Sequence, residues 1–443
     1  MTFLRSYFTN RKFNIKGPLL PTVITLLIST QMVTPATTSA VLADGAVQLP
    51  VGQRVFKVEV DSEGIHEITA EDLIAKGMSS SLDPDSIQLM HYGEEVAWEL
   101  VSDPTGNANI FDKEDKIRFY GWPFDESRAE KLYVNENIFW VIPGRTAARP
   151  STVSASAGSS VIESVPHTQQ FEYDDVFSTM AMTEVNWANQ GVEPDHYFWL
   201  SLRRGSSDDS VTSSLTVDLT TPSSTTNNAT VDAIIAVPQD SKNVPGNAEM
   251  ILANNATATA DFSPGDVFTM TQTISNNALI DGQNTVTFKH TRLDSDDPAS
   301  RYYVNYLNVT YQKDLKADNG QLQFSYAGTG DTTFEISDFS GSTASEMAIW
   351  DVTDRKSPKQ ISATSNGNNS YRFNASISST ADFSVASSAG VTQIATADIT
   401  AYTPKQLDPA AGYADWLAIA PEAFLDINGT SNDLVGLAEH RQT

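Results

Sequence analysis

The sequence predicts a mainly β, multi-domain protein, and three observations carry that reading. Short runs with an apolar residue at every second position recur along most of the chain, the pattern of strands that bury one face. Ser, Thr, Asn and Asp crowd the stretches between those runs, as turns require. The length of 443 residues allows about three domains at ~100–200 residues each. Hydrophobic residues make up 40% of the chain, enough for packed cores and too much for a disordered polymer.

Residues 1–43 read as a signal peptide. Arg5, Arg11, Lys12 and Lys16 form a basic region, and Leu19 to Val33 is mostly apolar. Small residues follow, with cleavage expected after Ala40 or Ala43. The alternative is a retained anchor, but the apolar run is shorter than the ~20 residues a span needs. The expected product is secreted or held at the cell surface, with no membrane span after cleavage.

The first domain is expected over 50–145. Phe56, Val58 and Val60 alternate with charged residues as a strand, and Asp61 to Gly64 turns the chain into a second strand ending at Ile68. "TAEDLIAKG" reads as a short helix capped by Thr69, with Asp72 at the third position and Gly77 at its end. Ser86–Tyr92 and Val96–Val101 are two strands joined at Gly93–Glu95, and "KIRFYG" and "IFWVI" are two more.

Residues 146–160, rich in Ala, Ser, Pro and Gly, suit a linker. A jelly-roll-like sandwich is expected over 162–316, its strands including Val231–Val237, Asn284–His290 and Tyr303–Tyr311. In the last of these, Tyr303, Leu307, Val309 and Tyr311 are expected on one face. An immunoglobulin-like sandwich is expected over 320–398, with strand signals at "QLQFSY", "TTFEIS", "MAIWDVTD", "YRFNASI" and "ADFSVASS". Over 411–443, Trp416–Ala420 reads as a buried strand, and Leu434, Val435, Leu437 and Ala438 stripe a helix after it. A strand and its crossover helix open an α/β sheet, so the tail resembles the start of a further domain. The plainer alternative is a terminal helix docked on the β domains.

Charge and chemistry narrow the function. The formal net charge is −27, which repels nucleic acid and favours solubility. Cysteine is absent, excluding disulfides, thiolate metal sites and a Cys nucleophile within these residues. A secreted chain without cysteine is a bacterial pattern. His66, His91, His167, His196, His290 and His440 form no zinc spacing, and packed or surface roles are the default. No cofactor is expected, with calcium the one metal left open. Its candidate ligands are Asp112, Glu114 and Asp115 in one turn and Asp294, Asp296 and Asp297 in another, against the default of solvated carboxylates. Trp122 and Trp187 fall in loops and are candidate sugar platforms, whereas the other tryptophans read as core.

Four stretches, in order, resemble the gingipain-like cysteine peptidases. "FKVEVDSEGIHEITAEDLIAKGM" with "DKIRFYG" and "NIFWVI" resembles their opening domain. "HYFWLSL", "ALIDGQNTVTF" and "YVNYLNVTY" resemble the jelly-roll part. "FEISDFSG" and "MAIWDVTD" resemble the short sandwich, and "ADWLAIAPEAFL" with "LVGLAEHRQT" the first strand and helix of the catalytic domain. The resemblance covers most of the chain after residue 43. It implies a caspase-like domain downstream with a His base and a Cys nucleophile, neither of which falls within these residues. No catalytic residue is therefore assigned, and the expected partner is that protease domain. The alternative is a stand-alone extracellular module that binds a glycan or another protein.

Overall fold

The computed structural model describes residues 49–102, 107, 109–124, 134–178, 196–239, 244–252, 257–295 and 297–405. All belong to one unit, Asp44–Thr443, and the expected signal peptide and α/β tail lie outside the described residues. The architecture is mainly β, as the alternating pattern predicts.

The chain opens with β1 (Val55–Val60), β2 (Gly64–Thr69) and the short helix α1 (Ala70–Ala75). Thr69 caps α1, its hydroxyl accepting the Asp72 N–H at 3.1 Å, and Gly77 follows at φ +98°. Then come β3 (Ile87–His91), β4 (Glu94–Val96), β5 (Trp98–Val101), β6 (Lys116–Gly121) and β7 (Asn137–Pro143). Tyr92 and Gly93, both with positive φ, turn β3 into β4. β1 and β2 do not pair with each other. β1 joins β7 and β3 in one sheet, and β2 joins β6 and β5 in a second. Phe56, Val58, Ile68, Leu73, Phe119 and Phe139 fill the core between them.

Residues 146–160, expected as a linker, are held at both ends. The Ala147 N–H donates to the Asp85 carbonyl at 2.9 Å, and the Ala148 carbonyl accepts from Trp98 N–H at 3.1 Å. Arg149 lies 3.7 Å from the Trp98 ring centroid. β8 (Ser151–Val153) and β9 (Val161–Ile162) then add parallel edge strands to sheets far along the chain. The small polar side chains that suggest a linker also suit short edge strands, and composition does not separate the two.

The middle of the chain is a two-sheet sandwich. Its strands are β10 (Ser164–Glu172), β11 (Val176–Phe177), β12 (Tyr197–Phe198), β13 (Leu200–Arg204), β14 (Ser210–Leu219), β15 (Asn228–Ala236), β16 (Gly246–Ile251), β17 (Thr257–Phe262), β18 (Val267–Ser275), β19 (Gly282–Arg292) and β20 (Ser300–Asp314). One sheet runs β10-β20-β15-β18, with β13 also on β20, and the other runs β14-β19-β16-β17. Val217, Val231, Met250, Phe288 and Val309 pack between them. Tyr303 departs from the expected face. The pairing of β15 with β20 shifts register between Ala233 and Ile235, opposite Leu307 and Val304. The bulge reverses the alternation, so Tyr303 packs on Phe198 and Ala236 while Tyr302 takes the inner face.

The last third holds β21 (Gln321–Ala327), β22 (Gly330–Ile336), β23 (Ala348–Asp351), β24 (Lys359–Ile361), β25 (Thr364–Gly367), β26 (Ser370–Ile377), β27 (Thr380–Ala386), β28 (Thr392–Gln393) and β29 (Ile399–Tyr402). β21-β27-β23-β24-β8 faces β25-β26-β22-β9 across Phe324, Phe334, Phe373 and Phe383. β28 and β29 leave this sandwich. β28 pairs parallel with β2, and β29 pairs antiparallel with β1 from Val55↔Tyr402 to Val58↔Ile399. Both N-terminal sheets are thus completed by strands from the far end of the described chain.

Candidate functional site

Among the described residues, the candidate metal and sugar residues do not assemble a site. In the turn before β6, the Asp115 carboxylate accepts the Asp112 N–H at 3.0 Å and Asp112 accepts the Glu114 N–H at 3.3 Å. Glu114 also pairs with Lys113 at 3.0 Å. In the second turn, the Asp297 carboxylate accepts the N–H groups of Leu293 and Asp294 at 3.2 and 2.9 Å, and Asp296 lies outside the described residues. These carboxylates hold turns closed, as short acidic side chains commonly do. Among the described residues no three His, Cys, Asp or Glu converge as metal ligands.

Trp122 is a correction. It is 8% exposed and packs against His91 at 4.8 Å and Phe139 at 5.1 Å between ring centroids, so it offers no open face to a sugar. Following a strand in a Pro-containing segment suggests a loop, and the segment is one, but its ring turns inward to close the core. Trp187, Ala40 and Ala43 lie outside the described residues. Among the described residues the exposed aromatic side chains are Tyr173, Phe177, Tyr197 and Tyr402, the first three in or next to the β11–β12 ribbon.

Among the described residues, one Ser–His pair is buried on both sides, Ser300 Oγ and His290 Nε2 at 3.0 Å. Its other nitrogen faces the Leu202 carbonyl at 3.3 Å, where a hydrolytic triad would place a carboxylate. Arg204 donates toward Ser300 at 3.4 Å, and both members of the pair are shut off from solvent. Burial, opposed by the Leu202 carbonyl and aided by the Arg204 charge, pushes the His290 pKa down to about 4. The arrangement ties β19 to β20 and β13 and does not activate a nucleophile.

The most elaborate polar construction joins the N-terminal sheets to the last sandwich. Glu67 on β2 is 2% exposed. Its carboxylate accepts from Lys116 Nζ at 2.7 Å, from Arg118 at 2.6 and 2.9 Å, and from Gln393 of β28 at 2.7 Å. Burial alone would raise its pKa, but the Lys116, Gln393 and Arg118 donors outweigh that and hold it below the ordinary 4.5. Glu63 accepts from Tyr120 at 2.6 Å and from Arg355 at 2.8 Å, and its carbonyl accepts from Gln323 at 2.6 Å. Thr396 donates to Asp72 at 2.5 Å. The apolar layer beneath is also shared: Trp350, Val352, Ile394 and Ile399 pack in the core of the N-terminal sheets. A contact with a full apolar layer and paired charges immobilises one element on another. Sequence reasoning missed it because Glu67 is hundreds of residues from Arg355 and Gln393 and shares no spacing with them.

No family model matches the sequence, and no curated protein matches it. Among solved structures, the infectious bursal disease virus, Gx strain, aligns at 8% identity over 75% of this chain and 63% of that one, with a TM-score of only 0.21. A cycloalternan-forming enzyme of Listeria monocytogenes aligns at 10% identity over 59% of this chain and 19% of that one, with a TM-score of 0.17. Neither value marks a shared fold. The arrangement of sheets is instead similar to that of dimeric latent PorU from Porphyromonas gingivalis, at 14% identity, over 80% of this chain and 33% of that one, with a TM-score of 0.52.

Proposed function

We propose that these residues form the secreted, non-catalytic N-terminal region of a gingipain-like cysteine endopeptidase, and that they hold the catalytic domain in place. The observation that carries this reading is the fold likeness to latent PorU over 80% of the chain, at a TM-score of 0.52. It falls on a chain in which four ordered stretches resemble the gingipain-like peptidases. The chain spans about a third of the PorU chain, which leaves room there for further domains. The geometry supports a holding role. The described chain ends on β29, hydrogen-bonded to β1 and anchored on a shared core, so a domain attached beyond Lys405 would leave from a fixed strand. No catalytic group is needed for that task, and the absence of Cys agrees with it.

The test is the gene sequence beyond the codon for Thr443. An in-frame continuation encoding a caspase-like domain with a His and a Cys is the expected result, and a stop codon shared by several strains would overturn the reading. Purified residues 44–443 are expected to cleave neither Arg- nor Lys-containing peptides. Turnover above a mock purification that an active-site inhibitor blocks would contradict the non-catalytic assignment.

A further inference from the structure

His91 ends β3 inside the contact between the N-terminal sheets and the last sandwich. Its ring is 5% exposed and lies between Tyr92, Trp122 and Phe139, at centroid distances of 4.6, 4.8 and 4.8 Å. Nε2 is 2.9 Å from Asn137 Oδ1. An amide oxygen only accepts, so Nε2 carries a proton and donates it to Asn137. Nδ1 is buried with no hydrogen-bond partner. A second proton would therefore place both a charge and an unsatisfied donor in the interior.

The groups around His91 are unfavourable to that charge. The loop between β23 and β24 brings Arg355 to 5.8 Å from the Trp122 centroid and places the Lys356 charge near the imidazole. Glu94, opposite His91 on β4, is the acid on this side, and it is ion-paired to Lys356. Glu95 stands at the next position of β4, opposite Met90. Asn137 and Phe139 of β7 and Trp122 bring no charge. The same loop is fastened by the Ala97 N–H, which donates to the Lys356 carbonyl at 2.8 Å. One imidazole thus sits behind the residues that seat the sandwich loop.

We propose that His91 is an acid-sensitive latch: a proton at Nδ1 loosens the Trp122–Arg355–Lys356 contact and frees the 353–358 loop from the N-terminal sheets. Burial and the neighbouring Lys356 both favour the neutral ring, against the Asn137 contact, so the latch is closed at neutral pH and weakens as pH falls below the ordinary histidine value of 6.5. The latch is built entirely from described residues and works with or without a domain beyond Lys405. If the peptidase reading is right, mild acid changes how firmly the platform holds its cargo.

Hydrogen exchange at Ala97, on residues 44–443, reads the latch directly. Corrected for intrinsic rates, exchange is expected to rise about tenfold between pH 7.5 and 5.5 in the wild type and to stay flat in His91→Gln, which keeps an amide donor for Asn137 and cannot be charged. Lys356→Met is expected to make the response smaller, because it removes a charge that disfavours the second proton and so brings the closed-state titration nearer the ordinary value. His66 is the control. It is also buried, with Nδ1 2.9 Å from the Gly64 carbonyl and Nε2 3.4 Å from Ser62, so His66→Gln should leave the Ala97 response intact. A wild-type rate equal at both pH values, or a His91→Gln variant that responds like wild type, overturns the proposal. If His91→Gln fails to fold, the imidazole titration of the wild type decides: a pKa at or above 6.5 by NMR is incompatible with the latch.

Discussion

Glu67 is an interior carboxylate shared by donors from three side chains, one of them on β28. Removing its charge leaves Arg118 and Lys116 facing a neutral amide. Glu67→Gln is expected to cost about 3 kcal/mol, the low end for breaking a buried pair, because Arg118 keeps a second partner in Glu99 at 3.2 Å. Chemical denaturation would measure it, and Glu67→Leu combined with Arg118→Met should cost less than the single change. Because the folded pKa is depressed, this stabilisation is complete above about pH 4.5 and disappears as pH falls through the folded value. His290 works in the other direction of charge. Its pKa of about 4 keeps it neutral in the fold while the unfolded chain protonates near 6.5. Stability is full above pH 6.5 and should fall by about 3 kcal/mol toward pH 4, a slope that His290→Gln removes. At this scale the sequence showed the Thr69 cap and the strand residues, but neither role for a histidine. A buried imidazole and an exposed one have the same letter and no distinguishing neighbours. Trp122 and Tyr303 went astray for related reasons, since an inward-turned loop ring and a bulge are decided by tertiary packing.

β29 is the element on which the N-terminal sheet depends. Four residues long, it places Ile399, 1% exposed, in the core of the first sheets. Ile399→Ala is expected to cost about 3 kcal/mol, within the range for truncating a buried aliphatic side chain. The loss should appear first as faster exchange at Lys57 and Val58, beside the altered strand. Equal protection in variant and wild type would show that β29 is an ornament on a sheet stable without it. β1 was legible because its apolar residues alternate with polar ones, and β15 and β27 because they carry short runs rich in apolar residues that are buried on both faces. β10 and the first half of β14 were not. Their exposed sides are Ser, Thr and Gln, and their pairing to β20 and β19 supplies the order that composition lacks. "ITAY" reads as a strand locally, but its partner lies more than three hundred residues upstream, beyond any local signal.

For the molecule as a whole, the β-rich architecture was legible from strand and turn spacing, whereas the interdependence of its parts was not. The first sheets look self-sufficient in sequence, yet Trp350, Val352, Ile394 and Ile399 complete their core and β28 and β29 complete their edges. Residues 44–160 alone are therefore expected to lack a cooperative thermal transition and to regain β structure when mixed with residues 161–405. Circular dichroism of the separate and combined fragments checks this, and a sharp transition in the first fragment alone would contradict it. The interface charges Glu63, Arg355 and Lys356 read as ordinary surface residues until the fold brings them together.

The pairing of β1 with β29 also fixes how the chain bears tension. Val55 opposes Tyr402, so the entry and exit of the described chain lie at the same end of one antiparallel ladder. A pull between those two points loads the ladder bonds one at a time, as a zipper opens, and does not shear the four paired rows together. Peeling needs much less force than shearing because each bond breaks before the next is strained. In a stretching experiment with handles at residues 49 and 405, the first event should be a low-force step that releases only β29 and the short segment behind it. The sandwiches between would still be folded when it occurs. A domain tethered beyond Lys405 could then be drawn away from the N-terminal sheets by a modest mechanical load, with the rest of the structure acting as a stiff spring mount.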